Sequence, residues 1–97
     1  MIKHVILWTL KEEANTNAVK EGIRAGLEGL LGVIPGLVAL RVYTQGLESS
    51  NTHVMLDSTF DSVAALQAYA VHPAHVEVAD TKVRPFTVQR SCLDFEI

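Results

Sequence analysis

The first ten residues alternate as a β-strand does. Ile2, His4, Ile6, Trp8 and Leu10 share one side of an extended chain, and Val5 and Leu7 lie on the other. A strand that is apolar on both sides at its centre is covered on both faces. Helices of the same chain can cover one face, which leaves the second for another body. Asn15-Thr16-Asn17 then offers capping side chains to a helix running to about Leu31. Val19, Ile23, Leu27, Leu30 and Leu31 make its apolar stripe, while Lys20, Glu21, Arg24 and Glu28 fall mostly away from it. Gly22, Gly26 and Gly29 weaken this helix, each by up to ~1 kcal/mol relative to alanine. They also thin its side, which reads either as close helix–sheet packing or as space left beside the sheet.

Ile34-Pro35-Gly36 ends the helix and turns the chain. A second strand runs from Leu37 to about Thr44, a polar loop spans 46–51, and a third strand covers 52–60. Asp61-Ser62 caps a short helix carrying Val63, Leu66, Tyr69 and Ala70. Pro73 disfavours helical geometry at His72 and breaks the pattern there. A further helical piece over about 74–83 precedes Pro85, and a last strand runs from Phe86 to about Phe95. The order β-α-β-β-α-β predicts an α+β, ferredoxin-like domain over 1–97, with a four-stranded antiparallel sheet and helices on one face. The other face, with Val5 and Leu7, is the natural dimer surface; two such sheets face to face make a barrel-like core.

Composition sharpens this picture. Hydrophobic residues make up 48% of only 97 residues, and mean hydropathy is +0.23. So short a chain buries only about 60–65% of its unfolded surface, so the excess points to a subunit interface. Formal net charge is -3 with scattered basic residues, which argues against nucleic acid as a partner. No segment approaches the ~20 apolar residues of a membrane span, and Lys11, Glu12 and Glu13 cut short the N-terminal apolar run before it could serve as a signal segment. With one cysteine, Cys92, no intrachain disulfide forms. The expected location is the cytoplasm, with no membrane partner.

Four histidines and one tyrosine carry the candidate chemistry. His4 sits in an apolar alternation beside Ile6 and Trp8, where it needs a hydrogen bond, whether as a core residue or as part of a site. His53 opens the third strand and reads by itself as a strand-end surface histidine. Tyr69, His72 and His75 surround Pro73. At the break, His72 is suited to bonding freed backbone, which leaves Tyr69 and His75 as the chemical pair. A neutral imidazole accepts a proton near neutral pH, and a phenol donates to a carbonyl oxygen that gains negative charge. No compact ligand motif accompanies the histidines, Glu77 and Asp80, so no metal is expected. Cys92 reads as a small buried hydrophobe, and Asp94 and Glu96 as a solvated strand edge.

Several segments resemble the stress-responsive A/B-barrel (Dabb) family. They are the opening Met-Ile-Lys-His-Val-Ile-Leu-Trp, the Ile34-Pro35-Gly36 turn, residues 59–66, the string Tyr69-Ala70-Val71-His72-Pro73-Ala74-His75-Val76, and the closing Leu93-Asp94-Phe95-Glu96. The resemblance covers the whole chain and implies a dimeric α+β barrel. By analogy with the family's cofactor-free cyclase members, it implies His75 and Tyr69 as an acid/base pair. It brings in His4, as a first-strand pocket histidine, and His53 as ligand-binding candidates with Ile6 and Trp8. The function then expected is binding, cyclisation or isomerisation of a small apolar, polyketide-like carbonyl compound, with no cofactor. The alternatives are a non-catalytic stress-response or interaction protein and a cofactor-free monooxygenase related by fold.

Overall fold

Strand β1 (Ile2–Leu10) lies inside a four-stranded antiparallel sheet of order β2-β3-β1-β4 in the computed structural model, which describes residues 1–97. β2 is Leu37–Tyr43, β3 is Val54–Phe60 and β4 is Thr87–Glu96. Helix α1 (Asn17–Glu28) follows β1; α2 (Val63–Val71) and α3 (Pro73–Val78) link β3 to β4. This is the ferredoxin-like β-α-β-β-α-β arrangement, with the second helix broken. No helix is long and apolar enough to cross a membrane.

Alternation along β1 sorts its residues as the sequence requires. His4, Ile6, Trp8 and Leu10 are buried under the helices, with Ile23 and Leu27 of α1 and Val54, Leu56 and Phe60 of β3. Each fully buried aliphatic or phenylalanine side chain contributes about 1.5–3 kcal/mol, and this layer is the principal core. On the opposite side Leu7 is 38% exposed. Register places Val5 beside Leu93 and Asp57, and Leu7 beside Met55 and Ser91. Exposed Leu93 and Phe95 extend this helix-free face, and a Lys3–Asp57 ion pair of 2.7 Å lies within it.

The caps fall where the sequence offers them. Thr16 Oγ1 accepts from the Val19 amide at 3.2 Å, and Ser62 Oγ accepts from the Ala65 amide at 3.0 Å. α1 ends at Glu28, short of Leu31, because Gly29 begins a series of turns that reaches Ile34. The Glu28 carboxylate then accepts from the Val42 amide at 3.0 Å, which ties α1 to the edge strand β2. Gly26 of α1 does not open space beside the sheet. A Cβ at Gly26 would meet Val78 Cγ1 at 3.0 Å and Lys82 Cγ at 3.5 Å, so the close approach is between α1 and the segment after Pro73.

Gly36 turns the chain into β2 with φ of +81°, and a Cβ there would lie 2.5 Å from Ala65 Cβ. Gly32 also has positive φ, at +87°, but open space around it. Gly32→Ala should therefore lose only the left-handed backbone penalty of about 1–2 kcal/mol. Gly36→Ala should lose that plus an overpacking cost on the order of 1–3 kcal/mol. Urea unfolding of the two variants measures the difference, and equal losses would remove the close approach of α2 as its cause.

Candidate functional site

Helix α2 ends at Val71, and His72 takes an extended conformation (φ -65°, ψ 132°) before Pro73 opens α3. The His72 Nδ1 accepts from the Ala74 amide at 3.1 Å. His72 therefore caps α3, the backbone role expected of it. Beyond the elbow, Ala79–Val83 forms a π-turn and Arg84–Phe86 a 3-10 turn that returns the chain to the sheet.

Between this elbow and the sheet lies a cavity of about 150 Å³. His4, Ile6 and Trp8 of β1, Tyr69 of α2 and His75 of α3 all line it. Arg84 and Arg90 complete its wall. Its volume matches that of an engineered cavity known to hold benzene, about 150 Å³. A shallower groove of about 670 Å³ adjoins it, and His4, Leu66, Ala70 and Arg90 line both. His53 lies apart from both spaces. Its Nδ1 accepts from the Leu10 amide at 2.9 Å, and its own amide donates to Trp8 O at 3.0 Å, which fixes the end of β1.

The Tyr69 and His75 rings stack with centroids 4.2 Å apart and planes tilted by 34°. Phe60 meets Tyr69 edge-on at 4.9 Å. Tyr69 is only 1% exposed, and its hydroxyl finds no hydrogen-bond partner in the protein. Burial pushes this phenol up to about 12, against a smaller opposing pull from the Arg90 charge, so it remains a donor at neutral pH. His75 Nδ1 lies 3.3 Å from Ala70 O; a carbonyl can only accept, so this nitrogen carries the proton and Nε2 keeps its lone pair. Burial holds the His75 imidazole below its ordinary value. The Ala70 carbonyl opposes this, and the charges of Arg84, His4 and Arg90 reinforce it.

His4 is buried, and its Nδ1 is hydrogen-bonded to Asp94 Oδ1 across the β1–β4 pairing. Asp94 was legible only as an exposed edge residue, because nothing local in sequence links the first strand to the last. The need of a buried His4 for a partner was the one signal. Cys92 departs from the expectation of a buried hydrophobe: it is exposed, because β4 is an edge strand whose helix side is left largely open. Its Sγ lies 3.7 Å from His4 Nδ1 and 3.5 Å from Asp94 Oδ1. Such a trio can ligate a divalent ion only if the His4–Asp94 bond opens. Partial desolvation of the sulfur, with the Asp94 carboxylate beside it, pushes the Cys92 thiol up, so it is a poor nucleophile at neutral pH.

Two outcomes follow from these environments. Tyr69→Phe removes a buried hydroxyl that has no protein partner, so the variant should be at least as stable as wild type, with a gain on the order of 1 kcal/mol in thermal or urea unfolding. A clear loss would mean that the hydroxyl is satisfied. As for pH, the unfolded chain takes up a proton at position 75 near the ordinary value of about 6.5, and the folded chain resists it. Stability from His75 is thus present above that value and lost as pH falls through the lower folded-state value. His75→Gln should lose less stability than wild type between about pH 7 and pH 5.

The chain matches the family described as Stress responsive A/B Barrel Domain over residues 2–97. It is 34% identical over 82 residues to stress-response A/B barrel domain-containing protein HS1 of Arabidopsis thaliana, a match spanning 80% of this chain and 73% of that protein. It is also 34% identical over 83 residues to olivetolic acid cyclase of Cannabis sativa, spanning 81% and 80% of the two chains. Among solved structures, a dimeric protein of unknown function with a ferredoxin-like fold from Bacteroides fragilis NCTC 9343 superimposes with a TM-score of 0.90. That match has 24% identity over 99% of this chain and 95% of the other. With the family model matching residues 2–97 and a relative 34% identical across 80% of this chain, the chain belongs to the stress-responsive A/B-barrel domain family.

Proposed function

We propose that this protein is a homodimer in which each subunit uses its cavity for cofactor-free acid/base chemistry on a small, largely apolar carbonyl compound. The observation that carries the reading is the Tyr69–His75 pair. The ring of Tyr69, whose buried hydroxyl has no protein partner, stacks against an imidazole that retains a free Nε2, both in the wall of one cavity. His75 Nε2 takes a proton from the carbon beside the carbonyl. The C–H electron pair becomes the enolate, and the Tyr69 hydroxyl donates a hydrogen bond to the oxygen that gains charge. Return of the proton from His75 to another carbon isomerises the compound; attack of the enolate carbon on a second carbonyl cyclises it, and the alkoxide so formed takes the proton back from His75. His4, Ile6 and Trp8 shape the opposite wall. The 34% identity to olivetolic acid cyclase supports this class of reaction.

The dimer reading rests on the exposed apolar side chains of the helix-free face and on the Bacteroides relative, which is described as dimeric. The proposed location is the cytoplasm, where an exposed thiol such as Cys92 stays reduced.

A second reading is a non-catalytic stress or interaction protein whose working form is the dimer. Three of the four histidines favour it, since His4, His53 and His72 hold structural hydrogen bonds. Proton exchange separates the two readings. The α-hydrogens of cyclohexanone in heavy water, followed by NMR, should exchange faster with wild type. His75→Ala and Tyr69→Phe should each reduce that acceleration by about 10²–10⁴-fold, with the fold intact by circular dichroism. No acceleration by wild type, or equal acceleration by both variants, would leave the non-catalytic reading. For the assembly, sedimentation at micromolar concentration should show a dimer with an interface on the order of 1,600 Å². Leu7→Lys should split or unfold it by burying an unpaired charge.

A further inference from the structure

The cavity wall is electrostatically one-sided. It includes His4, His75, Arg84 and Arg90, and no aspartate or glutamate. The two arginines differ in how they are held. Arg84 is ion-paired with Asp80, one turn back along the chain, whereas Arg90 has no carboxylate partner within ion-pair distance. β4 places Arg90 opposite Trp8, on the helix side of the sheet, where it lines both the inner cavity and the outer groove.

We propose that Arg90 is an anion anchor at the junction of cavity and groove, and that the ligand class of this site is small carboxylic acids with a ring-sized apolar body. The proposal rests on the reading of the cavity as a ligand site and narrows its substrate class. A guanidinium without an internal acid partner offers a planar pair of N–H donors that matches a carboxylate. The inner cavity holds about 150 Å³, room for the apolar body but not for a long chain. Orientation follows from the outer groove. Asp94 and Glu96 line that groove and repel an anion, so the carboxylate settles at Arg90 while the body points inward toward Tyr69 and His75.

Trp8 is the only tryptophan and lines the cavity, so its fluorescence reports occupancy directly. Benzoate and benzamide are matched in shape and differ in charge. With wild type, benzoate should change Trp8 emission saturably and bind about tenfold or more tighter than benzamide, as expected for a charge-assisted pair. Arg90→Leu should bring the two probes within about twofold of each other, chiefly by weakening benzoate, and Arg90→Lys should keep part of the preference. Arg84→Leu should retain it, since Asp80 already holds that guanidinium. Equal binding of the probes by wild type would sink the anchor and leave the cavity reading intact. So would a preference that survives Arg90→Leu or vanishes in Arg84→Leu. Displacement of benzoate by inorganic phosphate at similar concentration would replace the carboxylate class with a general anion site and overturn the assignment. Failure of both probes to perturb Trp8 would remove the ligand cavity itself, and the anchor with it.

Discussion

The ring of Pro73, which bars helical geometry at His72, is the constraint on which the site depends. Along an unbroken helix, residues 69 and 75 would be separated by about 9 Å of rise, with their side chains about 120° apart around the axis. Such residues do not stack. Instead the chain leaves helical geometry at His72, as the following proline demands, and α3 starts on a new axis. His75 then folds back over Tyr69 with ring centroids 4.2 Å apart. The His72 ring satisfies the Ala74 amide that the break exposes, so the elbow is held by a side chain of its own sequence. The cavity is the space left between that elbow and the sheet.

Local chemistry was legible in the sequence, and long-range register was not. Residues 2–10 read as a strand with two distinct faces, and the strand spans Ile2–Leu10 with those faces. The elbow at Pro73, the Thr16 and Ser62 caps and the capping role of His72 each follow from a residue and its immediate neighbours. Arg90, Cys92 and Asp94 carry no such local signal. They enter the site because β4 pairs with β1 so that Trp8, Ile6 and His4 face them in turn. A one-residue slip would turn all three to the other face, and no local pattern in a strand exposed along nearly its whole length fixes that register. His53 fails to join the site for a related reason. It sits where β1 ends, and its Nδ1 accepts from the open Leu10 amide there, away from the cavity.

The cavity is expensive for so small a core. A hydroxyl buried without a protein partner costs on the order of 1–3 kcal/mol, and the space beside it forgoes dispersion contacts as well. A phenylalanine would fit position 69 and its edge-on contact with Phe60 without that cost. The structural parts of the same region are fully satisfied by contrast: Ser58 Oγ donates to His4 O at 2.7 Å, and His4 is bonded to Asp94. Strain of this kind confined to one side chain in a cavity wall is what a binding or reacting site requires, and a purely structural elbow does not.

β4 connects the helix-free face of the sheet to the cavity. Its alternate residues Leu93 and Phe95 belong to the helix-free face, while Arg90, Cys92 and Asp94 border the cavity and groove. The strand lies at the sheet edge, paired only to β1, and nearly all its side chains are exposed in the single subunit. In the proposed dimer the partner sheet covers the first set and thereby stiffens the backbone that positions the second. A ligand held at Arg90, as proposed, would bear on the same backbone from the other side. Were both events to order β4, each would favour the other to the same degree, because coupling between equilibria is reciprocal. An edge strand held by neither event frays most readily, and with it goes the wall that carries Arg90 and Asp94.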